Sequence, residues 1–164
     1  MIRALRSEDR ASVIDLVRAT GNFNEAEVAI AKELIDIAVE QPTQKDYNAF
    51  VDVEPSLNGL GDDESIAGFL IVGPTPATVG TYDMYWIAVH PTFQGRGIAQ
   101  ALDTFATQFV INQGGYWLIA ETSGQPGYDR TRAFYVKQGY ATLSRIPDYY
   151  KPGDDLIVFG KRLG

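Results

Sequence analysis

Met84-Tyr85-Trp86-Ile87-Ala88-Val89-His90-Pro91-Thr92-Phe93-Gln94-Gly95-Arg96-Gly97-Ile98-Ala99 carries an apolar strand through a break at His90-Pro91 into a glycine-bearing turn. A helix follows at once. Its apolar residues Ile98, Ala101, Leu102, Phe105, Ala106, Phe109 and Val110 recur at three- and four-residue steps, one face of a 3.6-residue period. A turn between a strand end and a helix start offers unpaired backbone N–H groups and the positive end of the helix dipole. Both favour a phosphate or pyrophosphate. Glycines also occupy such turns for positive φ or close packing with no ligand present. The stretch lacks the Gly-x-Gly-x-x-Gly of a dinucleotide site and the Gly-Lys-Ser/Thr of a Walker loop.

A second segment decides between these readings. Apolar residues 116–120 read as a strand that leads into Glu121-Thr122-Ser123-Gly124-Gln125-Pro126-Gly127-Tyr128-Asp129-Arg130-Thr131-Arg132-Ala133-Phe134-Tyr135-Val136-Lys137-Gln138-Gly139-Tyr140. A short helix is expected from near Asp129, a good N-cap residue, to Gly139, a good C′ residue. Together the two segments resemble the Gcn5-related N-acetyltransferase (GNAT) family. The family's cofactor loop, Gln/Arg-x-x-Gly-x-Gly/Ala, is filled by Gln94, Gly97 and Ala99. Its second signature, aromatic-Tyr-x-x-x-Gly-aromatic, is filled by Phe134, Tyr135, Gly139 and Tyr140. The order strand, loop, helix, strand, helix also agrees, and only the first third of the chain matches by layout alone.

The resemblance implies a single GNAT domain over residues 1–164, of α+β class, with a mixed, largely antiparallel sheet and flanking helices. The strands ending at Val89 and Glu121 should splay apart to admit acetyl-CoA, the cosubstrate. Free backbone groups of Ile87, Ala88 and Val89 would pair with the pantetheine arm, as an added strand would. The amides of Gln94, Gly95, Arg96, Gly97, Ile98 and Ala99 would hold the pyrophosphate, with Arg96 adding charge. Thr131, Arg132, Phe134 and Tyr135 are the cofactor contacts expected from the second segment, with Lys137 a secondary candidate. The activity implied is acetyl transfer to a primary amine by direct attack, without a covalent enzyme intermediate. The alternative is an inactive acetyl-CoA-binding sensor or subunit.

Such chemistry sets three tasks. A backbone N–H must stabilise the developing oxyanion, and Val89 holds that place by family analogy. The departing thiolate needs a proton; a phenol of pKa ~10 suits a thiol of pKa ~8.5, which points to Tyr135. The attacking amine must lose a proton. Glu121 matches the place of the base in ribosomal-protein N-terminal acetyltransferases, while Asp83 or a water relay remains an alternative. The chain departs from those relatives in its longer Gly-Pro loop at 124–128 and in Thr131, where many carry asparagine.

Composition agrees with a compact enzyme. The 164 residues are 45% hydrophobic, enough for one domain with a sizeable core. Acidic residues number 21 against 14 basic, a net charge of −7, which disfavours nucleic acid as a partner. No apolar run is long enough to span a bilayer, and the first residues carry no signal or lipidation pattern, so a cytoplasmic protein is expected. Cysteine is absent and His90 is the one histidine, which excludes a disulfide framework, a thiolate nucleophile, a Cys-based zinc site and a His-rich metal cluster. No metal is expected, and His90 reads as a turn residue. A small-molecule amine is expected ahead of a protein acceptor. Phe23, Asp148, Tyr149 and Tyr150 are candidates for lining its pocket, and a homodimer is compatible with the chain.

The remaining elements read simply. A strand at 2–5 precedes a helix at 7–20, and Asn24 with Glu27 forms a capping box for a second helix that Gln41-Pro42 ends. Strands are expected at 48–53, 65–72 and 82–89, with Gly-, Pro- and Asp-rich connectors at 55–64 and 73–80. Strands at 142–145 and 156–161, around the turn Lys151-Pro152-Gly153-Asp154, close the chain.

Overall fold

The computed structural model of the chain describes residues 1–56 and 64–164, so most of the connector expected at 55–64 lies outside the described residues. The elements among them are β1 (Ile2–Ala4), α1 (Arg10–Ala19), α2 (Glu25–Glu40), β2 (Asn48–Pro55), β3 (Glu64–Pro74), β4 (Thr81–Val89), α3 (Ile98–Asn112), β5 (Trp117–Ser123), α4 (Asp129–Lys137), β6 (Ala141–Lys151) and β7 (Asp154–Arg162). The strands form a mixed sheet in the order β1-β2-β3-β4-β5-β7-β6, the α+β architecture expected. Two compact units divide the chain: Met1–Gly73 with Trp86–Ala106, and Pro74–Tyr85 with Thr107–Gly164.

In the first unit β2 pairs antiparallel with both β1 and β3. Its core gathers Val13, Leu16 and Val17 of α1, Val28, Ala31 and Ile35 of α2, and Val51, Phe69 and Leu70 of the sheet. The helix expected at 7–20 is a 3-10 turn at Ser7–Asp9 followed by α1. Asp9 draws the chain into that turn: its carboxylate accepts from the two terminal guanidinium nitrogens of Arg3 at 2.7 and 2.9 Å and from the Arg6 amide at 2.8 Å. α2 starts with the capping box read from the sequence. Asn24 Oδ1 accepts from the Glu27 amide at 2.9 Å, and the Asn24 amide donates back to Glu27 Oε2 at 2.8 Å. On α3, Ile98, Leu102 and Ala106 are buried, whereas Ala101 sits at the margin of the stripe and is exposed. The helix start lies close on the sheet at Gly68, where a Cβ would meet Leu102 Cδ1 at 2.9 Å, Ile98 Cγ2 at 3.0 Å and the Ala88 carbonyl oxygen at 3.1 Å.

In the second unit β4 and β5 pair in parallel through Thr81↔Trp117, Tyr82↔Leu118 and Asp83↔Ile119. The ladder ends there: Met84 and Tyr85 continue β4, and residues 120–123 continue β5, without pairing to each other. β5 instead pairs antiparallel with β7 along its whole length. It therefore outlasts the apolar run that marks it in the sequence, and Glu121 lies inside the strand opposite Val158. β6 is also longer than expected. All of its residues are exposed, so no buried alternation announces it. α4 follows a 3-10 turn at Pro126–Tyr128, which makes Asp129 its first residue; Tyr128 is the N-cap, and its side chain does not cap the helix. Its other end is as read: Gly139 has φ +89°, and the bonds Gly139 N–H to Val136 O (3.1 Å) and Tyr140 N–H to Tyr135 O (3.0 Å) complete a Schellman motif.

Candidate functional site

The first unit carries the strand end and the glycine turn. His90 caps a 3-10 turn at Pro91–Phe93, its Nδ1 accepting from the Thr92 amide at 3.2 Å, so its role is the turn role expected. Gln94 donates its amide to Pro91 O at 3.3 Å, and its Nε2 lies 3.5 Å from the Val89 carbonyl oxygen. Gly95 and Gly97 then take φ +76° and +78°, a region that other residues enter at a cost. A Cβ on either would meet no heavy atom within 4 Å, so the turn is open on that side. Among the described residues the amides of Gly95, Arg96 and Gly97 have no hydrogen-bond acceptor. Those of Ile98 and Ala99 belong to the first turn of α3, whose first intrahelical bond runs from Ala101 N–H to Gly97 O at 2.9 Å. Five successive donors thus stand at the positive end of a helix. The Arg96 guanidinium lies over the Phe93 ring at 5.3 Å and is exposed.

The second unit carries the titratable groups. Tyr135 is only 5% exposed, with its ring 5.1 Å from Tyr140, 5.4 Å from Phe159 and 5.5 Å from Phe134. Phe159 is the cross-strand partner of Ala120, so Tyr135 packs on the Ala120 face of β5. Glu121, the next residue, projects from the opposite face and is exposed. Partial burial raises the Glu121 pKa above its ordinary value, and the nearby Asp83 carboxylate adds to this. Asp83 is itself raised by desolvation, against hydrogen bonds from Thr75 and Tyr85 that favour its ionised form; the Thr75 hydroxyl lies at 2.8 Å. The Tyr150 phenol is pushed up to about 12, first by partial burial and then by the Glu121 charge. Among the α4 residues, Thr131 and Phe134 are half-buried and Lys137 is exposed. Arg132 donates to the carbonyls of Ser123 at 2.6 Å and Gln125 at 2.9 Å and pairs with Asp129, so its guanidinium braces the loop ahead of α4.

Within the first unit the structure brings Ile87, Ala88, Val89 and residues 94–99 onto one strand end and the turn beyond it. Within the second it gathers Phe134 and Tyr135, and separately Asp83, Glu121 and Tyr150. Sequence reading does not single out Thr75 or Asp155. Thr75 sits in a Pro-rich connector, and Asp155 reads as one of two acidic residues after a turn glycine. Only pairing across strands reveals their partners.

Residues 57–142 match the family model described as an acetyltransferase (GNAT) domain. A solved GNAT-family structure from Desulfovibrio desulfuricans is 34% identical, covers 100% of this chain and 99% of its own, and superposes with a TM-score of 0.92. The chain belongs to the GNAT acetyltransferase family. Two further GNAT-fold structures share the architecture alone. The ribosomal-protein-S18-alanine N-acetyltransferase of Escherichia coli is 18% identical, with TM-score 0.74 and coverage of 100% and 94%. An aminoglycoside 6'-N-acetyltransferase complexed with coenzyme A is 16% identical, with TM-score 0.74 and coverage of 99% and 96%. No curated protein sequence matches the chain significantly. The GNAT turn at Gly95 and Gly97 fits the phosphates of coenzyme A, since its donors lack acceptors and nothing crowds the glycines. Among the described residues no group of three or more His, Cys, Asp or Glu side chains is arranged to hold a metal. None of their helices is long and apolar enough to cross a membrane.

Proposed function

We propose that the chain moves the acetyl group of acetyl-CoA to a primary amine by direct attack, without a covalent enzyme intermediate. The observation that carries this reading is the run of acceptor-free amides from Gly95 to Ala99 at the start of α3. Acetyl-CoA, as substrate, supplies the activated acyl carbon. The amides from Gly95 to Ala99 hold its pyrophosphate, while Gln94, whose own amide is taken by Pro91 O, closes the turn ahead of them; the backbone of Ile87, Ala88 and Val89 takes the pantetheine arm. Val89 N–H is the oxyanion donor. Glu121 takes the proton from the amine, helped by a pKa raised toward the working range. Tyr135 gives a proton to the thiolate. Arg132 contributes by holding the loop before α4, which carries Thr131, Phe134 and Tyr135. The lack of cysteine supports direct transfer over a thiol relay.

Tyr149 and Tyr150, both about half exposed, border the acceptor beside Glu121 in this reading. The named relatives include one that acts on a ribosomal protein and one that acts on aminoglycosides. A small-molecule amine is the acceptor we propose first. The burial of Tyr135 in an aromatic cluster favours a second reading, an acetyl-CoA-binding subunit without turnover.

Calorimetric titration with acetyl-CoA, with ATP and NAD as controls, tests the foundation. Saturable binding of acetyl-CoA alone is expected, and its absence would overturn both readings. Release of free thiol in the presence of an amine panel then separates the transferase from the silent binder.

A further inference from the structure

After a first shift between Thr142 and Ser144, β6 and β7 pair from Ser144↔Val158 to Ile146↔Leu156, and the next pair is Lys151↔Asp154. Residues 147–150 therefore stand opposite Asp155 alone, a bulge that carries Pro147, Asp148, Tyr149 and Tyr150 out of the ladder. Within it Asp148 takes φ +54°, a left-handed conformation that L residues seldom adopt. Asp155 is the anchor. Its Oδ1 accepts the Asp148 amide at 3.0 Å, and its Oδ2 accepts from Arg145 Nε at 2.6 Å. Asp148 in turn accepts the Gly153 amide at 2.6 Å, tying the bulge to the hairpin turn. The bulge presents the Tyr149 and Tyr150 rings edge to face, 5.1 Å apart, and the Glu121 charge reaches Tyr150. A bulge at an edge strand also serves to block unwanted pairing. That role does not require a non-glycine residue at positive φ or two large rings left about half exposed.

We propose that Asp155 is a positioning residue for acceptor recognition: by fixing the Asp148 amide it sets where Tyr150 stands relative to Glu121, and so which amine flanks are accepted. This rests on the reading of the Glu121 side as the acceptor side. An open tyrosine pair favours an amine with an apolar or aromatic flank over one with a polar flank.

The test measures equilibrium binding of phenethylamine and of ethanolamine to protein saturated with coenzyme A, a form that cannot react. Phenethylamine should bind about tenfold more tightly. Tyr150→Ala and Asp155→Ala should bring the two amines within about twofold, with coenzyme A affinity unchanged. Asp155→Asn keeps an oxygen for the Asp148 amide and should restore the preference. Equal binding of the two amines to the wild type, or an undiminished preference in Asp155→Ala, overturns the proposal while the transferase reading stands. Failure to bind coenzyme A at all overturns that reading as well. Amide exchange in the wild type gives a measure that needs no variant: the Asp148 amide should be protected, and free exchange there would remove the anchor.

Discussion

Tyr135 and Glu121 stand on opposite faces of β5: the tyrosine ring packs on Phe159, the partner of Ala120, and the carboxylate leaves from the next residue on the other side. In the proposed reaction one face strips the amine and the other restores the thiol.

Tyr135→Phe keeps the ring packing against Tyr140 and Phe159 and removes only the hydroxyl. We expect kcat to fall about 100-fold with acetyl-CoA affinity near wild type. Steady-state kinetics beside calorimetry reads this, and unchanged kcat would exclude the phenol as the acid when chemistry limits the rate.

The pH profile should carry the mark of the two carboxylates. Burial and the Asp83 charge hold the Glu121 pKa above its ordinary value, and a base must be ionised, so kcat/KM should decline as pH falls through that raised pKa. Asp83→Asn removes the like charge, lowers the Glu121 pKa and should move the acidic limb to lower pH. Glu121→Gln should abolish the limb and cost about 100-fold in kcat/KM. A limb that stays in place in both variants belongs to another group.

Gly97→Glu puts a carboxylate among the amides of the turn. The position has open space but φ +78°, so we expect a loss of about 1–2 kcal/mol in stability and no measurable acetyl-CoA binding. A folded variant that still titrates with acetyl-CoA would contradict the placement of the pyrophosphate.

Asn24→Ala dismantles the capping box at the start of α2, leaving the Glu27 amide without its partner. A loss of about 1 kcal/mol in denaturant unfolding is expected. Asn24→Ser, which keeps an acceptor oxygen, should recover most of it.

Both ends of the α4 segment were open to sequence reading to different degrees. Gly139 announces its own conformation, since few other residues reach φ +89° cheaply. Asp129 has the chemistry of a cap, but the Pro126–Tyr128 turn had already begun the winding, and the side chain pairs with Arg132 instead. The Gly95–Gly97 turn is legible because its conformation lies in the backbone, which glycine spacing marks. Asp155 is not, because its partners Asp148 and Arg145 come to it across a strand pair whose register breaks at a bulge. β6 is legible over only part of its length for another reason: a strand exposed on both faces has no alternation to betray it.

Gly68 has no side chain to offer to any reaction, yet Leu102, Ile98 and the Ala88 carbonyl all close on the space where its Cβ would be. The seat of the α3 N-terminus on the sheet is thus fixed from beneath by a missing methyl group. A graded series at this position, beginning with Gly68→Ala, would act like a shim: it would lift the helix end without touching a single donor. Such a series would change how the amides beyond Gly97 are presented while leaving every one of them chemically intact.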